Sequence, residues 1–424
     1  MATNHERATR YLQRLRDLRG GETPRPVSFP SVEDISPRVG NGARIDVNAV
    51  ERRWKLLDAA PPVRDPLLDA QTVDQMAAYG QNIENFIGTI KVPVGIAGPL
   101  RVHGLFAQGD YYVPLATTEA ALVASYTRGA QTLSDAGGCT SVVVNEGVSR
   151  SPVFAFKDIV EAGQFVMWVT GQVEAFRREA QGTTQHGKLE DVRITLEGNH
   201  VFLLLEYFTG DAAGQNMVTI ATEAVCRYIE ASSPIKPRRW WVEGNMSGDK
   251  KASVQSFQNV RGKKVIAEAL LPADLVQRRL RCTPLQMVEY YNVSAIGGVL
   301  SGNIGIQGHY ANGLAAVYIA CGQDAACVAE SAVGVTRFQE NDDGSLYVAV
   351  TLPNLIVGTV GGGTALPSQR ACLDLLGLGG AGHANAFAEV CGAMVLAGEV
   401  SIIAALACGQ FTRAHQKLAR AKES

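Results

Sequence analysis

The sequence has almost no net charge. Its 39 Lys and Arg residues nearly balance its 41 Asp and Glu residues, which leaves a formal charge of −2 at pH 7. Proteins that bind nucleic acid hold the phosphates with an excess of basic residues, and the composition offers no such excess. We therefore expect no nucleic-acid partner.

Cysteine pairs of the kind that ligate metals are also missing. The eight Cys residues include no CxxC pair, and Cys321 and Cys327 lie in an Ala-rich helical context. Reduced thiols in a hydrophobic core are the better interpretation of this pattern. It predicts a cytoplasmic protein without a metal site.

A secretory leader and long apolar runs are absent as well. The first residues, MATNHERATRYLQRLRD, are charged and do not resemble a signal peptide. No uninterrupted run of about 18 apolar residues occurs, so we expect no membrane span.

What the chain does have is the composition of an ordinary globular protein. Hydrophobic residues make up 46% and charged residues 19% of its 424 residues. A chain of this length has room for about three domains. Many of the 44 Gly residues fall in short clusters, which indicates tight turns and close backbone approach.

The chain opens with a polar arm, residues 1–45, in which we predict one short helix, Glu6 to Leu18. Further helices are predicted over 47–57 and 67–79. The segment 84–100, ENFIGTIKVPVGIAGPL, has the β-branched residues, Gly and Pro of strands and turns at a packed interface.

A helix is predicted from Ala120, with Thr117 and Thr118 as candidate N-caps. Glu119 would then lie in the first turn. The simplest role for an acid in that position is to favour the helix dipole.

Residues 152–241 follow a different pattern. The predicted elements are a strand at 153–156, a helix at 159–180, strands at 192–196 and 201–208, a helix at 216–231 and a strand at 239–242. The order βαββαβ is the split ferredoxin-like unit. We predict an α+β protein in which this small domain is inserted into a large mixed α/β domain, residues 46–151 and 242–424.

The stretch Gly305 to Asp324, GIQGHYANGLAAVYIACGQD, is the predicted centre of the large domain. Its small residues would let another backbone come close. His309 and Asn312 are three apart and share one helix face. Gly322 is a plausible helix stop, and Asp324 after it is either an N-cap for the next helix or a catalytic acid.

The rest of the large domain contains strands at 264–271 and 347–352. A helix at 273–281 is predicted to lead through a Gly-rich connection into the central stretch. A long, nearly polar-free helix is predicted over 387–408, with Glu399 inside it.

Two Gly-rich segments could hold a dinucleotide. Residues 377–382, GLGGAG, fit GxGxxG but follow a helical segment, so we interpret them as a loop. Residues 210–216, GDAAGQN, lie between a predicted strand and a helix N-terminus, where free N–H groups can meet pyrophosphate. The second segment is the better candidate.

Seven segments, in this order, together carry a family resemblance: ENFIGTIKVPVGIAGPL, ATTEAALVAS, TGDAAGQNMVTIATEA, GNMSGDKKA, residues 309–324, VGTVGGGT and MVLAGEVSIIAALACGQFTRAH. With them the chain resembles the class I 3-hydroxy-3-methylglutaryl-CoA reductase family in its soluble catalytic portion. The resemblance implies reduction of an acyl-CoA thioester to an alcohol by two hydride transfers from NADPH or NADH. It also implies a homodimer, or a dimer of dimers, with active sites shared between subunits.

Four positions match the catalytic residues of this family. The resemblance implies that Glu119 protonates the developing alkoxide, Lys250 stabilises the oxyanion, Asp324 holds and tunes both, and His415 protonates the departing thiolate. The chemistry is coherent, because an oxyanion needs preorganised positive charge and a thiolate needs a donor that titrates near neutrality. Like-charge repulsion from Asp324 would favour the protonated form of Glu119.

Other positions match binding residues of the family. Substrate binding is implied for Arg150, Glu243, Asp249, Lys251, His309, Asn312, Ser401, Ser125 and Arg128; coenzyme A contacts for the basic run Arg278, Arg279 and Arg281; and nicotinamide-cofactor binding for Asp211, Gly214, Asn216, Met217 and Gln185.

The chain departs from the family at several of these positions. Ala213 and Gln215 replace two Met of the nicotinamide loop, and Gln185 replaces the arginine that reads the 2′-phosphate. Glu243 replaces a Ser in the acyl pocket, and Asn292 aligns with a Lys. Thr127 and Gln131 also replace polar and basic positions on the coenzyme A side.

Glu243 leaves two possibilities for the acyl group. Its negative charge would repel a carboxylate on the substrate, which favours a neutral or cationic acyl chain. If Arg150 or Lys251 neutralises it, or if it points to solvent, the pocket would be of the ordinary kind.

We expect a thioester reductase of this family that acts on 3-hydroxy-3-methylglutaryl-CoA. One alternative is a divergent relative that reduces another acyl thioester, on coenzyme A or on a carrier protein. A second is a non-catalytic regulatory homologue, which the presence of all four catalytic positions disfavours. The cofactor preference, the direction of flux and dimer versus tetramer stay open.

Overall fold

The computed structural model describes residues 42–411, together with Thr9, Gln13 and Val39. Thr9 and Gln13 are helical, and the rest of the predicted helix 6–18 lies outside the described residues, as does His415. The chain divides into two compact units. The first contains residues 1–73 and 83–88, and the second contains residues 74–82 and 89–424.

The first unit is built on helix α1 (Val47–Leu57), which Asp46 caps by accepting a hydrogen bond from the Ala49 N–H. Buried Arg53 donates to the Phe86 carbonyl, and the Trp54 indole donates to the Ile87 carbonyl. These bonds fix the segment 83–88 against α1. The helix predicted over 67–79 is instead a short α3 (Ala70–Asp74) and a 3₁₀ turn (Met76–Tyr79), after α2 (Pro61–Arg64).

The second unit is organised by a sheet of eleven strands. They are β1 (Val94–Gly104), β2 (Gln108–Ala116), β3 (Cys139–Arg150), β4 (Val153–Ala155), β5 (Lys188–Glu197), β6 (His200–Phe208), β7 (Arg239–Trp241), β8 (Gly262–Leu271), β9 (Gly305–Ile306), β10 (Gly334–Glu340) and β11 (Leu346–Leu355). The main path is β7-β4-β6-β3-β8-β11-β10-β9. The hairpin β1-β2 joins it by parallel pairing of β1 with β3, and β5 pairs with β6.

Helix α13 (Ala384–Ala407) forms the core of this unit. By length and composition it could cross a membrane, but 83% of its most apolar window is buried inside the protein, as in a core helix. Its fully buried Glu389 accepts hydrogen bonds from the N–H groups of Leu105, Phe106, Ala107 and Val143. These backbone N–H donors offset the cost of burying a carboxylate in the core.

Two helices pack tightly on α13. On α4 (Leu122–Asp135), a Cβ at Gly129 would lie 1.8 Å from the Ala397 carbonyl oxygen, so the two backbones touch there. On α10 (Tyr310–Ala320), a Cβ at Gly313 would meet the ring of Tyr126 on α4, and just before this helix a Cβ at Gly308 would lie 2.8 Å from the Ile402 side chain of α13. The small residues of the central stretch therefore serve the close packing that the sequence predicts.

The segment 152–241 contains β4, α5 (Ile159–Thr170), α6 (Val173–Gln181), β5, β6, α7 (Gln215–Ser232) and β7. The single helix predicted over 159–180 is wrong, because the chain breaks at Gly171 into α5 and α6. The strands lie in the order β7-β4-β6-β5, and the segment has a hydrophobic cluster of its own. Its status as an inserted domain stays a prediction.

The connection between 273 and 301 differs from its prediction. A short α8 (Ala273–Leu275) runs into a π-helical turn (Val276–Leu280), and then an 18-residue helix follows, α9 (Pro284–Ser301), where we predicted a Gly-rich loop. The side chains of Val293, Ile296, Val299 and Leu300 on α9 are exposed. The remaining helices are α11 (Val328–Ser331) and α12 (Pro367–Leu375), with 3₁₀ turns at 254–257, 325–327 and 362–365.

Candidate active site

One group of predicted site residues lies at the N-terminus of α10. His309 is the N-cap of this helix, and the Asn312 amide donates to the Glu119 carboxylate at 2.7 Å. The buried carboxylate of Glu399 on α13 accepts from the Gly308 and His309 N–H groups, both at 2.8 Å. The core helix thus fixes the start of α10 and, with it, the face that carries His309 and Asn312.

We predicted that Glu119 lies in the first turn of a helix, and this prediction is wrong. The helix α4 begins at Leu122 with Ala121 as its N-cap, and Thr117 and Thr118 are not caps. Ala121 has φ 72°, a left-handed conformation that costs a residue with a side chain on the order of 1 kcal/mol. This turn directs the chain so that Glu119 reaches Asn312 and not the helix dipole.

A cavity of about 600 Å³ opens beside this group. Two of its polar lining residues, Ser125 and Arg128, are both bonded to Ser401 behind them. Arg128 donates to the hydroxyl and to the carbonyl of Ser401, and the Ser125 hydroxyl lies 2.9 Å from the Ser401 hydroxyl. Arg281 also lines the cavity. Burial, together with Arg281, lowers the pKa of Arg128 from its ordinary value.

Of the basic run, only Arg281 lines that cavity. Arg278 pairs with Asp274 in its own helical turn, and Arg279 pairs with Asp135. We find no contact in the described residues that ties these two arginines to the other predicted site residues.

A second group contains Lys250 and Asp324. The Lys250 ammonium lies 2.7 Å from Asp324 Oδ2, and this hydrogen bond raises the pKa of Lys250 above its usual value. Asp324 Oδ1 also accepts from the Ala326 N–H, so Asp324 is an N-cap as well as the partner of Lys250. Its catalytic role stays a prediction. Lys250 has φ 56°, and its N–H donates to Glu330.

A buried ion-pair network lies behind the backbone of Lys250 and contacts it through Glu330. Arg261 is 2% exposed and bonds Glu330, which is fully buried, at 2.7 Å, and it also pairs with Asp249. Burial raises the pKa of Glu330 despite the opposing effect of Arg261. Burial alone would raise the pKa of Asp249 too, but Arg261, Arg150 and Lys250 together hold it below its ordinary value.

The sequence analysis missed Arg261 and Glu330. They are 69 residues apart, and no motif or spacing joins them. Only the folded chain brings them into contact.

Arg150 joins the same network from the end of β3. It is largely buried, and its guanidinium donates to Asp249 at 2.8 Å and to Glu243 at 3.4 Å. Lys251 is exposed, and its ammonium donates to the Asp249 carbonyl. The structure therefore brings together Arg150, Glu243, Asp249, Lys250, Lys251 and Asp324, and their roles stay predictions.

The predicted nicotinamide loop leads from β6 to the N-terminus of α7. Gly214 is the N-cap of α7 with φ 76°, and within the described part of the chain no side-chain cap bonds the first N–H groups of the helix. Gln185 and Asn216 are exposed, and Met217 approaches the 184–187 turn, where its sulfur accepts from the Thr184 hydroxyl. Open helix N–H groups beside an exposed turn fit a dinucleotide phosphate.

Asp211 has a structural partner that the sequence did not indicate. Its carboxylate accepts from the Gly382 and Ala384 N–H groups at the start of α13. The GLGGAG segment is thus a loop, as we predicted, and Asp211 ties it to the nicotinamide loop.

The two groups do not meet within one chain. From Asn312 to Ala320 alone, α10 rises about 12 Å at 1.5 Å per residue, and Asp324 lies beyond that end. In the described residues, no hydrogen bond or ion pair links Glu119 to Lys250 or Asp324. The described residues also contain no His, Cys, Asp and Glu cluster suited to a metal.

Comparisons with known proteins agree on one family. The Hydroxymethylglutaryl-coenzyme A reductase family model matches residues 49–420. The chain is similar to the 3-hydroxy-3-methylglutaryl-coenzyme A reductase of Aeropyrum pernix, with 44% identity over 94% of this chain and 97% of the relative. The same enzyme of Pyrococcus horikoshii is 38% identical, over 92% of this chain and 98% of the relative.

A solved structure shows a related fold. The class II 3-hydroxy-3-methylglutaryl-CoA reductase of Streptococcus pneumoniae bound to NADPH gives a TM-score of 0.64 at 18% identity. The match covers 84% of this chain and 96% of the other. The mixed α/β architecture is therefore one that such reductases have.

Proposed function

Because this chain belongs to the hydroxymethylglutaryl-coenzyme A reductase family, we propose that it reduces the thioester of 3-hydroxy-3-methylglutaryl-CoA to the alcohol mevalonate and releases coenzyme A. The reaction consumes two NAD(P)H. The observation that carries the proposal is the ion pair of Lys250 and Asp324. The buried Arg261–Glu330 pair positions it, because Glu330 accepts from the backbone N–H of Lys250.

Lys250 is the residue that stabilises the oxyanion in this proposal. A bound nicotinamide cofactor supplies the hydride, and the carbonyl oxygen becomes negative as the carbon is reduced. An ammonium already held by Asp324 meets that charge without reorganising, which lowers the barrier. The left-handed backbone of Lys250 and its N–H bond to Glu330 fix where the side chain starts.

Glu119 and His415 are the two proton donors in this proposal. Glu119 protonates the alkoxide, and the amide of Asn312 orients its carboxyl group. We assign protonation of the departing thiolate to His415, because imidazole titrates near neutral pH. That assignment rests on the match of its sequence segment to the family.

We further propose that two copies of the chain complete each site. Glu119, His309 and Asn312 of one copy would face Lys250, Asp324 and Arg150 of the other. The separation of the two groups by α10 supports this arrangement, because one chain alone does not bring them together. The exposed apolar side chains of α9 form a surface that contact between the two copies would bury.

The cavity beside Glu119 is the proposed place for coenzyme A. Arg128 and Arg281 offer positive charge to its phosphates, and the partly apolar lining accommodates the pantetheine chain. Ser401 positions Arg128 through its hydroxyl and its carbonyl, and the Ser125 hydroxyl bonds the Ser401 hydroxyl in turn.

The cofactor proposal assigns the loop around Gly214, with Asn216, Met217 and Asp211, to the nicotinamide dinucleotide. The uncapped N–H groups of α7 would face its phosphates. Because the eight cysteines are free, we also keep the cytoplasm as the proposed location.

Gln185 is expected to weaken the preference for NADPH. A neutral amide offers phosphate less than a charged guanidinium fork does. Replacing Gln185 by Arg should raise the ratio of kcat/KM for NADPH to that for NADH by about tenfold or more. Steady-state kinetics with both cofactors measures this ratio.

The matched control is Gln71→Arg, which adds the same charge at an exposed position of α3. It should leave the ratio unchanged. A strong NADPH preference in the wild type that neither Gln185→Ala nor Gln185→Arg alters would show that another group reads the 2′-phosphate.

The proposed function is tested by thioester-dependent oxidation of NAD(P)H. No oxidation with any acyl-CoA would favour the regulatory homologue. Oxidation with other acyl thioesters, but not with 3-hydroxy-3-methylglutaryl-CoA, would favour the divergent relative, for which the contacts of Glu243 give a specific reason.

A further inference from the structure

The guanidinium of Arg150 is almost fully used inside the chain. It has five N–H donors. Nη1 donates to Asp249 and Glu243, and Nη2 donates to the carbonyl and the side-chain oxygen of Gln215 at 3.4 and 3.3 Å. The remaining Nε–H is buried and has no partner among the described residues.

One free N–H cannot bind a carboxylate in the bidentate geometry that makes arginine a strong carboxylate binder. That geometry needs two parallel N–H groups of the same guanidinium. A substrate carboxylate that approaches Arg150 must therefore displace Glu243, Asp249 or Gln215. Of these, Asp249 is also held by Arg261, and Gln215 also accepts from Arg261 at 2.7 Å.

Glu243 is the acid with the weakest hold on Arg150. Its Oε2 lies 3.4 Å from Nη1, and it also accepts from the Ser151 N–H and the Ser247 hydroxyl. Its other oxygen, Oε1, is buried without a partner among the described residues. That oxygen is an acceptor that suits a donor group of a ligand and repels another carboxylate.

We infer that Glu243 is a specificity-determining residue: as an internal carboxylate it occupies Arg150, so the pocket favours an acyl group that ends in a neutral hydrogen-bond donor over one that ends in a carboxylate. The inference rests on the proposed function, since it takes Arg150 to line the acyl pocket. Of the two possibilities that the sequence left open, the observed pairing neutralises Glu243, yet it does so by using the arginine that a carboxylated substrate needs.

Unpartnered polar atoms around Arg150 support a neutral acyl end. Besides Arg150 Nε and Glu243 Oε1, they include Ser151 Oγ and Gln215 Nε2, none of which has a partner among the residues that the structure describes. This set mixes donors and acceptors, which a primary amide or a hydroxyl can satisfy in both senses. A carboxylate only accepts. Exposed Lys251 keeps one cation for a carboxylate, so 3-hydroxy-3-methylglutaryl-CoA stays a measurable substrate.

The test compares two thioesters that differ only in charge: 3-hydroxy-3-methylglutaryl-CoA and its analogue with a carboxamide in place of the free carboxylate. For the wild type, kcat/KM should favour the carboxamide by about 10- to 100-fold, as expected for like charges a few ångströms apart in a partly buried site. Glu243→Ser should reverse the order, mainly through KM for the carboxylated thioester.

Two further variants make the outcome decisive. Glu243→Gln keeps the shape, removes the charge and should shift the ratio in the same direction, which serves if the Ser variant fails to fold. Glu197→Ser removes a charge at the exposed end of β5 and should leave the ratio unchanged. A wild type that favours the carboxylated thioester, with a ratio that neither Glu243 variant alters, overturns the inference while the proposed function stands. Absence of turnover with both thioesters overturns the proposed function itself.

Discussion

Replacing Lys250 by Ala should lower kcat by about a hundredfold or more, since loss of one preorganised oxyanion partner costs on the order of 3 kcal/mol. The loss should appear in kcat and in kcat/KM alike, because the oxyanion exists in the transition state and not in the bound substrate. Steady-state turnover with 3-hydroxy-3-methylglutaryl-CoA and NAD(P)H measures the effect.

The fold should survive this substitution. The Lys250 and Asp324 side chains are 41% and 43% exposed, and exposed ion pairs contribute about 1 kcal/mol or less to stability. Alanine meets the same left-handed backbone as lysine does. Lys157→Ala, at an exposed site, is the control for loss of a lysine and should be fully active. Near-normal turnover of Lys250→Ala would remove this residue from the mechanism.

The second large effect is recovery of activity when two inactive chains are combined. Glu119→Gln and Lys250→Ala should each be nearly inactive when every copy carries the same substitution. If a site takes Glu119 from one copy and Lys250 from the other, each mixed dimer keeps one of its two sites intact. Mixed dimers should then show about half of the wild-type activity.

The experiment uses co-expressed chains with two different affinity tags, so that mixed dimers are purified through both tags. Combining Lys250→Ala with Asp324→Asn is the matched control, because these residues pair within one chain and no mixed dimer would hold an intact Lys250–Asp324 pair. Mixed dimers of Glu119→Gln and Lys250→Ala that are as inactive as the parents would place both residues in the same copy.

The sequence predicted the parts of this site that depend on local order. Gly322 ends the α10 segment with φ 70°, and Asp324 caps the next turn, as the spacing of Gly and Asp indicated. The loop between β6 and α7 also lies at a helix N-terminus, as predicted. These features are set within a few residues, so a local pattern carries them.

Helix α9 was missed although its signals were present. Thr283 and Gln286 form a capping box, and Pro284 occupies the first turn. The segment also contains the Gly297–Gly298 pair, and each Gly disfavours a helix by about 1 kcal/mol, in line with the Gly-rich connection that we predicted. The length of the helix and its packing against the sheet outweigh that cost.

The ion-pair network could not be predicted from local order. Arg261, Glu330 and Arg150 come from three distant segments, and their contacts depend on how β3, β8 and α11 pack. The same holds for Asp211, whose carboxylate binds the start of α13 some 171 residues later. Tertiary packing alone decides such contacts.

The most direct measurement of the central claim is the stoichiometry of one complete turnover by the wild type. With 3-hydroxy-3-methylglutaryl-CoA in limiting amount, we expect two NAD(P)H oxidised for each free coenzyme A thiol released, with mevalonate as the acyl product. Thiol release without NAD(P)H oxidation would mean hydrolysis, and no consumption of either compound would mean that the chain is not this reductase.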